Sequence, residues 1–333
     1  MFRHVIAGLF LGLGIEGAVC AATFPLPPPG TDVVGGVKVI YAKRRDTLLD
    51  IARRYDLGYN EITEANPGID PWLPGEGARI VVPTRFVLPD APREGVVVDL
   101  AGMRLFYYPV PQGGKRPVVI TYPIGIGRVN WQTPVGATRI VSKEVDPVWH
   151  IPQSIAEEHL QQGDALPKAV PAGPDNPLGK YALRLGFASY LIHGTNTPYA
   201  VGRRASHGCL RLYPEDIAEL FLQVDTGTRV EIVDQPYLAG WLNGDLYLQA
   251  HRPLAETRKA FTDNVGVAYG VLQKQTRARP VPIDWDKAAA VVLQARSVPI
   301  RVSASPGHPA AAQSAVQSAA AAQSAAGTPT GAD

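Results

Sequence analysis

The chain reads as a mainly β protein with short helices, on three grounds. Its 333 residues include 33 glycines and 31 prolines, counts that favour many short strands joined by turns over a helical bundle. Beyond residue 94, short apolar runs recur between Gly/Pro-rich stretches, which is the pattern of successive strands. Segments with helical periodicity are few and short. A composition of 46% hydrophobic and 19% charged residues supports more than one packed core at this length. The net charge of +2 gives no overall electrostatic case for a nucleic-acid partner.

Residues 1–22 read as a secretory signal: Arg3 and His4 lead into an apolar stretch over 5–15, and small residues follow at Ala18, Ala21 and Ala22. That stretch is too short to span a bilayer, and no later apolar run reaches about 20 residues. The mature protein is therefore expected to be exported and soluble. Gly17-Ala18-Val19 is a poor match for lipoprotein processing at Cys20. The run Pro25-Leu26-Pro27-Pro28-Pro29-Gly30 reads as a stiff linker.

Residues 36–83 form a small β-α-α-β unit. A strand is expected over 37–41, and Asp46 precedes a helical run with Leu48, Leu49, Ile51, Ala52 and Tyr55 on its apolar face. A second helix over 59–65 is stopped by Asn66-Pro67-Gly68, and 79–83 reads as a closing strand. In the main domain, 94–234, strands over 96–100 and 103–108 make a hairpin about Ala101-Gly102. Further strands are expected over 118–123, 136–142, 190–193 and 229–233. The main helix is 214–223, with Ile217, Ala218, Leu220 and Phe221 facing inward. The long connections 125–136 and 166–179 are where a ligand would be expected to bind. Residues 235–302 form an extension, with mixed strand and turn to about 253 and a helix over 285–296, expected to serve as a lid or brace. Residues 303–333, rich in Ala, Ser, Gln, Gly and Pro, read as a disordered tail.

The chemistry concentrates in His193-Gly194-Thr195-Asn196 and Ser206-His207-Gly208-Cys209. The sequence holds two cysteines, and loss of Cys20 with the signal leaves Cys209 without an intramolecular partner in a compartment that favours disulfides. A lone cysteine is most often a small buried apolar residue and a lone histidine a satisfied side chain. Their concentration in one window, with a glycine between, points instead to thiolate chemistry on an acyl group. A thiol of ordinary pKa is mostly protonated at neutral pH, so an adjacent imidazole is needed to take its proton. His193 ends an expected strand and suits a general base; His207, two residues before Cys209, would share its face in an extended segment. Gly208 removes a side chain that would crowd an incoming carbonyl, and the Gly208 and Cys209 N–H groups are candidates for an oxyanion hole. His193, His207 and Cys209 are also acceptable zinc ligands, but a fourth ligand or a CxxC partner is lacking. Arg203, Arg204 and Arg211, if not an ordinary solvated face, favour a carboxylate-bearing substrate.

Two resemblances follow. The unit over 36–83 resembles the LysM domain through Asp46-Thr47-Leu48, Ile51-Ala52, Asn66 and Ile80-Val81-Val82-Pro83, although Arg45 stands where that family usually has glycine. The stretches Ile192-His193-Gly194-Thr195-Asn196 and Ser206-His207-Gly208-Cys209-Leu210-Arg211-Leu212 resemble the signature of the L,D-transpeptidases, the YkuD domain family. Pro123-Ile124-Gly125-Ile126-Gly127, Thr133-Pro134-Val135-Gly136 and Val170-Pro171-Ala172-Gly173-Pro174-Asp175-Asn176-Pro177-Leu178-Gly179 extend the match. Arg211 departs from the asparagine of many Gram-positive and mycobacterial relatives; the arrangement is most like the Gram-negative periplasmic members.

The resemblance implies a YkuD-type β-sandwich or barrel behind a glycan-binding LysM unit, in the periplasm. It implies a Cys209 thiolate that attacks the diaminopimelate carbonyl of a peptidoglycan tetrapeptide stem, expels D-alanine and passes the acyl group to an amine. His193 would be the general base, Ser206 and His207 would orient the pair, and Gly208 would help hold the oxyanion. Arg211, Gly194, Thr195 and Asn196 would contact substrate. No metal or organic cofactor is implied, and carbapenems would acylate Cys209. The acceptor would be a second diaminopimelate or the C-terminal lysine of an outer-membrane lipoprotein. Two other classes compete: a carboxypeptidase or amidase in which water resolves the thioester, and a non-catalytic wall-binding protein.

Overall fold

The computed structural model describes residues 21–258 and 263–304. Residues 1–20 of the signal expected over 1–22, and 305–333 of the tail expected over 303–333, lie outside the described residues. Strand β1 (Ala22–Pro25) lies along the edge of the main sheet, where Leu26 N–H bonds Pro117 O at 2.9 Å. The segment read as a linker is therefore laid against the sheet at its start.

The LysM-like unit follows as β2 (Val33–Tyr41), α1 (Leu48–Arg54), α2 (Tyr59–Ala65) and β3 (Arg79–Val87), with β2 and β3 antiparallel. Thr47 caps α1 by accepting from Asp50 N–H, while Asp50 accepts from Thr47 N–H, a reciprocal capping box. Asn66, expected only to stop α2, is a buried staple: its amide donates to Ile62 O and Val81 O and accepts from Val81 N–H.

The main domain runs through β4 (Gly95–Asp99), β5 (Arg104–Tyr108), β6 (Val118–Pro123), β7 (Ile126–Gly127), β8 (Gly136–Val145), β9 (Trp149–His150), α3 (Gln153–Gln161), β10 (Ala169–Val170), β11 (Tyr181–Leu185), β12 (Leu191–His193), β13 (Arg204–Ser206), β14 (Leu210–Arg211), α4 (Pro214–Gln223) and β15 (Arg229–Val233). Nine strands make one sheet in the order β1-β6-β5-β4-β15-β8-β11-β12-β14. The mainly β class with short helices holds, with six α-helices among the described residues. Helix α3 is a difference from the sequence reading: only Ile155 of its nine residues is buried, so the apolar periodicity that would announce it is weak.

Strands β4 to β6 are buried on both faces, which explains their nearly continuous apolar sequence. Val96, Val98, Leu105, Tyr107, Ile120 and Tyr122 alternate into the core beneath the site. Val97, Phe106, Tyr108 and Val119 point the other way and share a core with Leu48, Ile51, Leu57 and Ile62 of the LysM-like unit. Between these faces Arg104, 2% exposed, donates from Nε and Nη2 to the two Glu61 oxygens at 2.7 and 2.9 Å.

The extension comprises β16 (Tyr237–Leu242), β17 (Asp245–Ala250), α5 (Asn264–Ala278), α6 (Trp285–Gln294) and β18 (Ile300–Arg301), with the strands in a separate three-stranded sheet. It braces β2 and β3: Asp32 exchanges hydrogen bonds with Trp241, and the Gln249 side chain accepts from Val87 N–H at 2.8 Å. Ser303, placed by the sequence reading in the tail, is buried, and its hydroxyl accepts from Leu246 N–H at 3.2 Å. No helix among the described residues is long and apolar enough to cross a membrane.

Candidate functional site

Strand register brings the two sequence motifs together. β12 and β14 pair in parallel with Ile192 opposite Leu210 and His193 opposite Arg211. Ile192 and Leu210 are fully buried in the main core. Alternation then turns His193, Cys209 and Arg211 to the other face, where all three line a cavity of about 550 Å³. Its walls include Trp131, Trp149, Ile155, Tyr190 and Leu178. No described residue of the extension lines it.

The segment bearing Cys209 is held through its own backbone by two hydroxyl side chains. Ser206 Oγ donates to Cys209 O at 2.6 Å and accepts from Gly208 N–H at 3.1 Å. Thr133 Oγ1 donates to Gly208 O at 2.8 Å. Gly208 adopts φ 104°, and a Cβ there would stand 2.7 Å from the Tyr190 ring. Glycine is thus required both for the backbone conformation and for the approach of Tyr190. The Cys209 thiol is half-buried and lies 3.7 Å from Ser189 O, its hydrogen-bond acceptor. Burial pushes the thiol pKa up, opposed by Leu191 N–H and the charges of Arg211 and Arg184.

His193 is 2% exposed, and its Nδ1 lies 2.6 Å from Gly194 O. A carbonyl can only accept, so Nδ1 carries the proton and Nε2 keeps its lone pair. Burial and then Arg211 lower the imidazole pKa to about 3. At neutral pH the pair is an uncharged imidazole and an uncharged thiol. Arg211 has a buried Nε with no hydrogen-bond partner, and burial lowers its pKa. It is a cation facing the cavity with donor capacity to spare.

Other expected site residues are placed differently. Ser206 bonds to the backbone around Cys209, and His207 Nε2 meets Arg128 Nη2 at 2.6 Å and Glu158 Oε2 at 3.2 Å. Neither is hydrogen-bonded to the thiol or the His193 ring among the described residues; Ser206 acts on the Cys209 segment through its backbone. The Gly208 N–H, expected in the oxyanion hole, is taken by Ser206. Gly194, Thr195 and Asn196 do not line the cavity. Gly194 supplies the carbonyl for His193, Thr195 Oγ1 accepts from Thr197 N–H at 2.9 Å, and Asn196 Nδ2 donates to Asp175 O at 3.1 Å. Of the three arginines singled out, Arg204 is bound to Glu256 at 2.6 and 2.7 Å and Arg203 lies over the Tyr59 ring at 3.5 Å. Arg211 alone of the three reaches the cavity.

Sequence reasoning missed Ser189, Arg128, Glu158 and Trp131. Ser189 has φ 69°, a conformation that a serine in a sequence does not announce. Trp131 packs edge-on to His207, with ring centroids 4.9 Å apart, and Glu158 on α3 also pairs with Arg128. These residues come from separate elements and meet through tertiary packing.

The sequence profile of the L,D-transpeptidase catalytic domain, YkuD, matches residues 93–232, and that of the LysM domain matches residues 41–83. The chain is 39% identical over 289 residues to the probable L,D-transpeptidase ErfK/SrfK of Salmonella typhimurium strain LT2, covering 85% of this chain and 92% of the relative. It is 40% identical over 263 residues to the probable L,D-transpeptidase YbiS of Escherichia coli K12, covering 78% and 84%. Similarity of this extent, with both domains present in the same order, means that the chain belongs to the ErfK/YbiS family of L,D-transpeptidases.

Proposed function

We propose that the protein cross-links or anchors peptidoglycan in the periplasm through an acyl-enzyme on Cys209. The observation that carries this reading is that Cys209, a neutral His193 and the underused Arg211 line one cavity. The cavity mixes aromatic walls with one free cation, which suits a peptide stem bearing a carboxylate.

In this reading Arg211 holds a carboxylate of the donor stem and sets the diaminopimelate carbonyl against the sulfur. His193 Nε2 takes the thiol proton as the C–S bond forms. Charge separation is confined to the step that needs it, because burial disfavours both ions at rest. With the Gly208 N–H held by Ser206, the Cys209 N–H is the donor of that pair assigned to the oxyanion. Collapse expels D-alanine, its nitrogen taking the proton from His193, and leaves a thioester. The acceptor amine, from a second diaminopimelate or a lipoprotein C-terminal lysine, then attacks while His193 accepts its proton; the C–S bond breaks and that proton returns to the Cys209 sulfur. The LysM-like unit keeps the enzyme on the glycan.

Incubation with tetrapeptide muropeptides, with and without a lysine-terminated lipoprotein peptide, tests the reading by mass spectrometry. Expected products are free D-alanine with a stem dimer or a lipoprotein adduct, all lost in Cys209→Ala. Release of D-alanine with only a tripeptide product would identify a hydrolase and sink the transferase reading. A carbapenem is expected to leave a covalent mass increment on Cys209 that Cys209→Ala lacks.

A further inference from the structure

The start of β1 meets a buried acidic socket. Ala22 pairs with Thr121, and its backbone N–H donates to Asp56 Oδ2 at 2.9 Å. Asp56 follows α1, Asp216 lies in the first turn of α4, and the two are 3% and 1% exposed. Asp56 Oδ1, Asp216 Oδ2 and the Tyr122 hydroxyl are all buried and reached by no N–H or hydroxyl donor, so the two carboxyls have only each other, and Tyr122 feels the charges of Glu219, Asp216 and Asp56. Glu219 Oε2 accepts from Ala21 N–H at 3.3 Å. The cation on this side, Arg104, is engaged by both Glu61 oxygens, Thr121 Oγ1 and the Asp56 carbonyl. Burial holds both aspartic carboxyls above their usual range; the Asp56 charge raises Asp216 further, and a hydrogen bond between the two carboxyls favours the ionised Asp56 and the protonated Asp216. A peptide N–H brings this socket one donor and no charge; an ammonium brings three donors and the missing positive charge.

We infer that the chain is cut between Ala21 and Ala22, and that the α-ammonium released on Ala22 occupies this socket between Asp56 and Asp216. Water adds across the amide, Ala21 leaves with the carboxylate, and the Ala22 nitrogen takes a proton. An endopeptidase that reads small residues at the end of an export leader is the catalyst required. The cut lies one residue before that expected from the sequence. A cut after Ala22 would put the terminus on Thr23, opposite Ile120, and leave Asp56 without its donor. The socket joins β1, the end of α1 in the LysM-like unit, and α4, which follows the Cys209 segment. Removal of the leader therefore locks the LysM-like unit to the catalytic sheet, independently of the chemistry at Cys209.

Intact mass and N-terminal sequencing of the exported protein are expected to show Ala22 first; another start overturns the inference. A chain with the authentic Ala22 terminus is then compared with one carrying Gly-Ser before it. The authentic chain is expected to melt at least about 3 °C higher near pH 6. The groups facing the ammonium are Asp56, Asp216, Glu219, Glu61, Arg104, Tyr122 and Tyr213, and the carboxylates raise its folded pKa above the ordinary α-amino value of about 7.7–8.0. The advantage is thus lost as pH rises through the folded pKa, and it also shrinks in acid as the two carboxyls become protonated. In the native protein Ala22 is expected to resist amine-reactive acetylation that labels exposed lysines, and to be labelled on unfolding. Asp216→Asn, beside Asp56→Asn, is expected to shrink the melting gap. Equal melting of the two chains, or native acetylation of Ala22 as fast as of lysines, overturns the docking.

Discussion

His193 and Cys209 are both uncharged at rest for the same reason, burial, which lowers one pKa and raises the other. Alkylation of Cys209 by iodoacetamide is therefore expected to be slow at pH 7 and to rise only above the ordinary cysteine range of about 8–9. A plateau of reactivity below pH 7, followed by mass spectrometry, would mean a preformed thiolate–imidazolium pair and would contradict the arrangement described. Arg211 predicts a different signature. Arg211→Met removes a charge-assisted hydrogen bond of about 1.5–3 kcal/mol, so KM for the tetrapeptide donor should rise roughly 10–100-fold. The same substitution should change kcat much less, because the Cys209–His193 geometry does not depend on the guanidinium. Steady-state kinetics on a defined donor separates the two constants. At this scale Cys209, His193 and Arg211 are legible in the sequence because they fall in two short motifs. The true contacts of Ser206 and His207 are not, since a side chain's direction depends on the turn fixed by Gly208 and on partners far away in the chain.

Helix α3 and strand β9 carry a part of the cavity wall distant in sequence from the motifs: Trp149, His150, Ser154, Ile155 and His159 all line it. What pins this wall is Glu158, which pairs with Arg128 and with His207 Nε2. Burial and then Arg128 lower the His207 pKa, while Glu158 raises it. Glu158→Gln removes the charge that holds these two side chains while keeping the size of the group. It is expected to lower kcat/KM about tenfold, or about 1.4 kcal/mol, with little change in melting temperature, because the helix buries little. Unchanged kinetics would show that the wall is held by other contacts. Helices 59–65 and 214–223 and strands 118–123 and 229–233 are legible residue for residue, since capping, proline punctuation and continuous apolar runs coincide with their ends. Helix α3 and the strands of the extension are not, because their pattern only makes sense once the surfaces they cover are known.

Across the whole molecule the LysM-like unit is part of the catalytic domain's architecture, apart from the glycan anchoring proposed for it. The sheet face formed by Val97, Phe106, Tyr108 and Val119 shares its core with the LysM-like unit, and α2 places its first N–H groups on Val201 O and Gly202 O of the loop that leads to Cys209. The Arg104–Glu61 pair sits at the centre of this seam, both partners nearly inaccessible. Two charges buried together gain little over an apolar pair of the same shape, whereas one left alone costs about 3–5 kcal/mol. Glu61→Ala is therefore expected to destabilise the protein by about that amount in denaturant melts. Arg104→Met alone should cost a similar amount. If the pair acts as a unit, the double substitution Glu61→Leu with Arg104→Met should cost much less than the sum of the singles. Strict additivity would mean that Glu61 acts instead through its acceptance of Gly58 N–H at the start of α2, and Arg104 through its bond to the Asp56 carbonyl. Activity in the single variants should fall with the folded fraction, because the seam reaches the site through the loop that α2 holds at Val201 and Gly202.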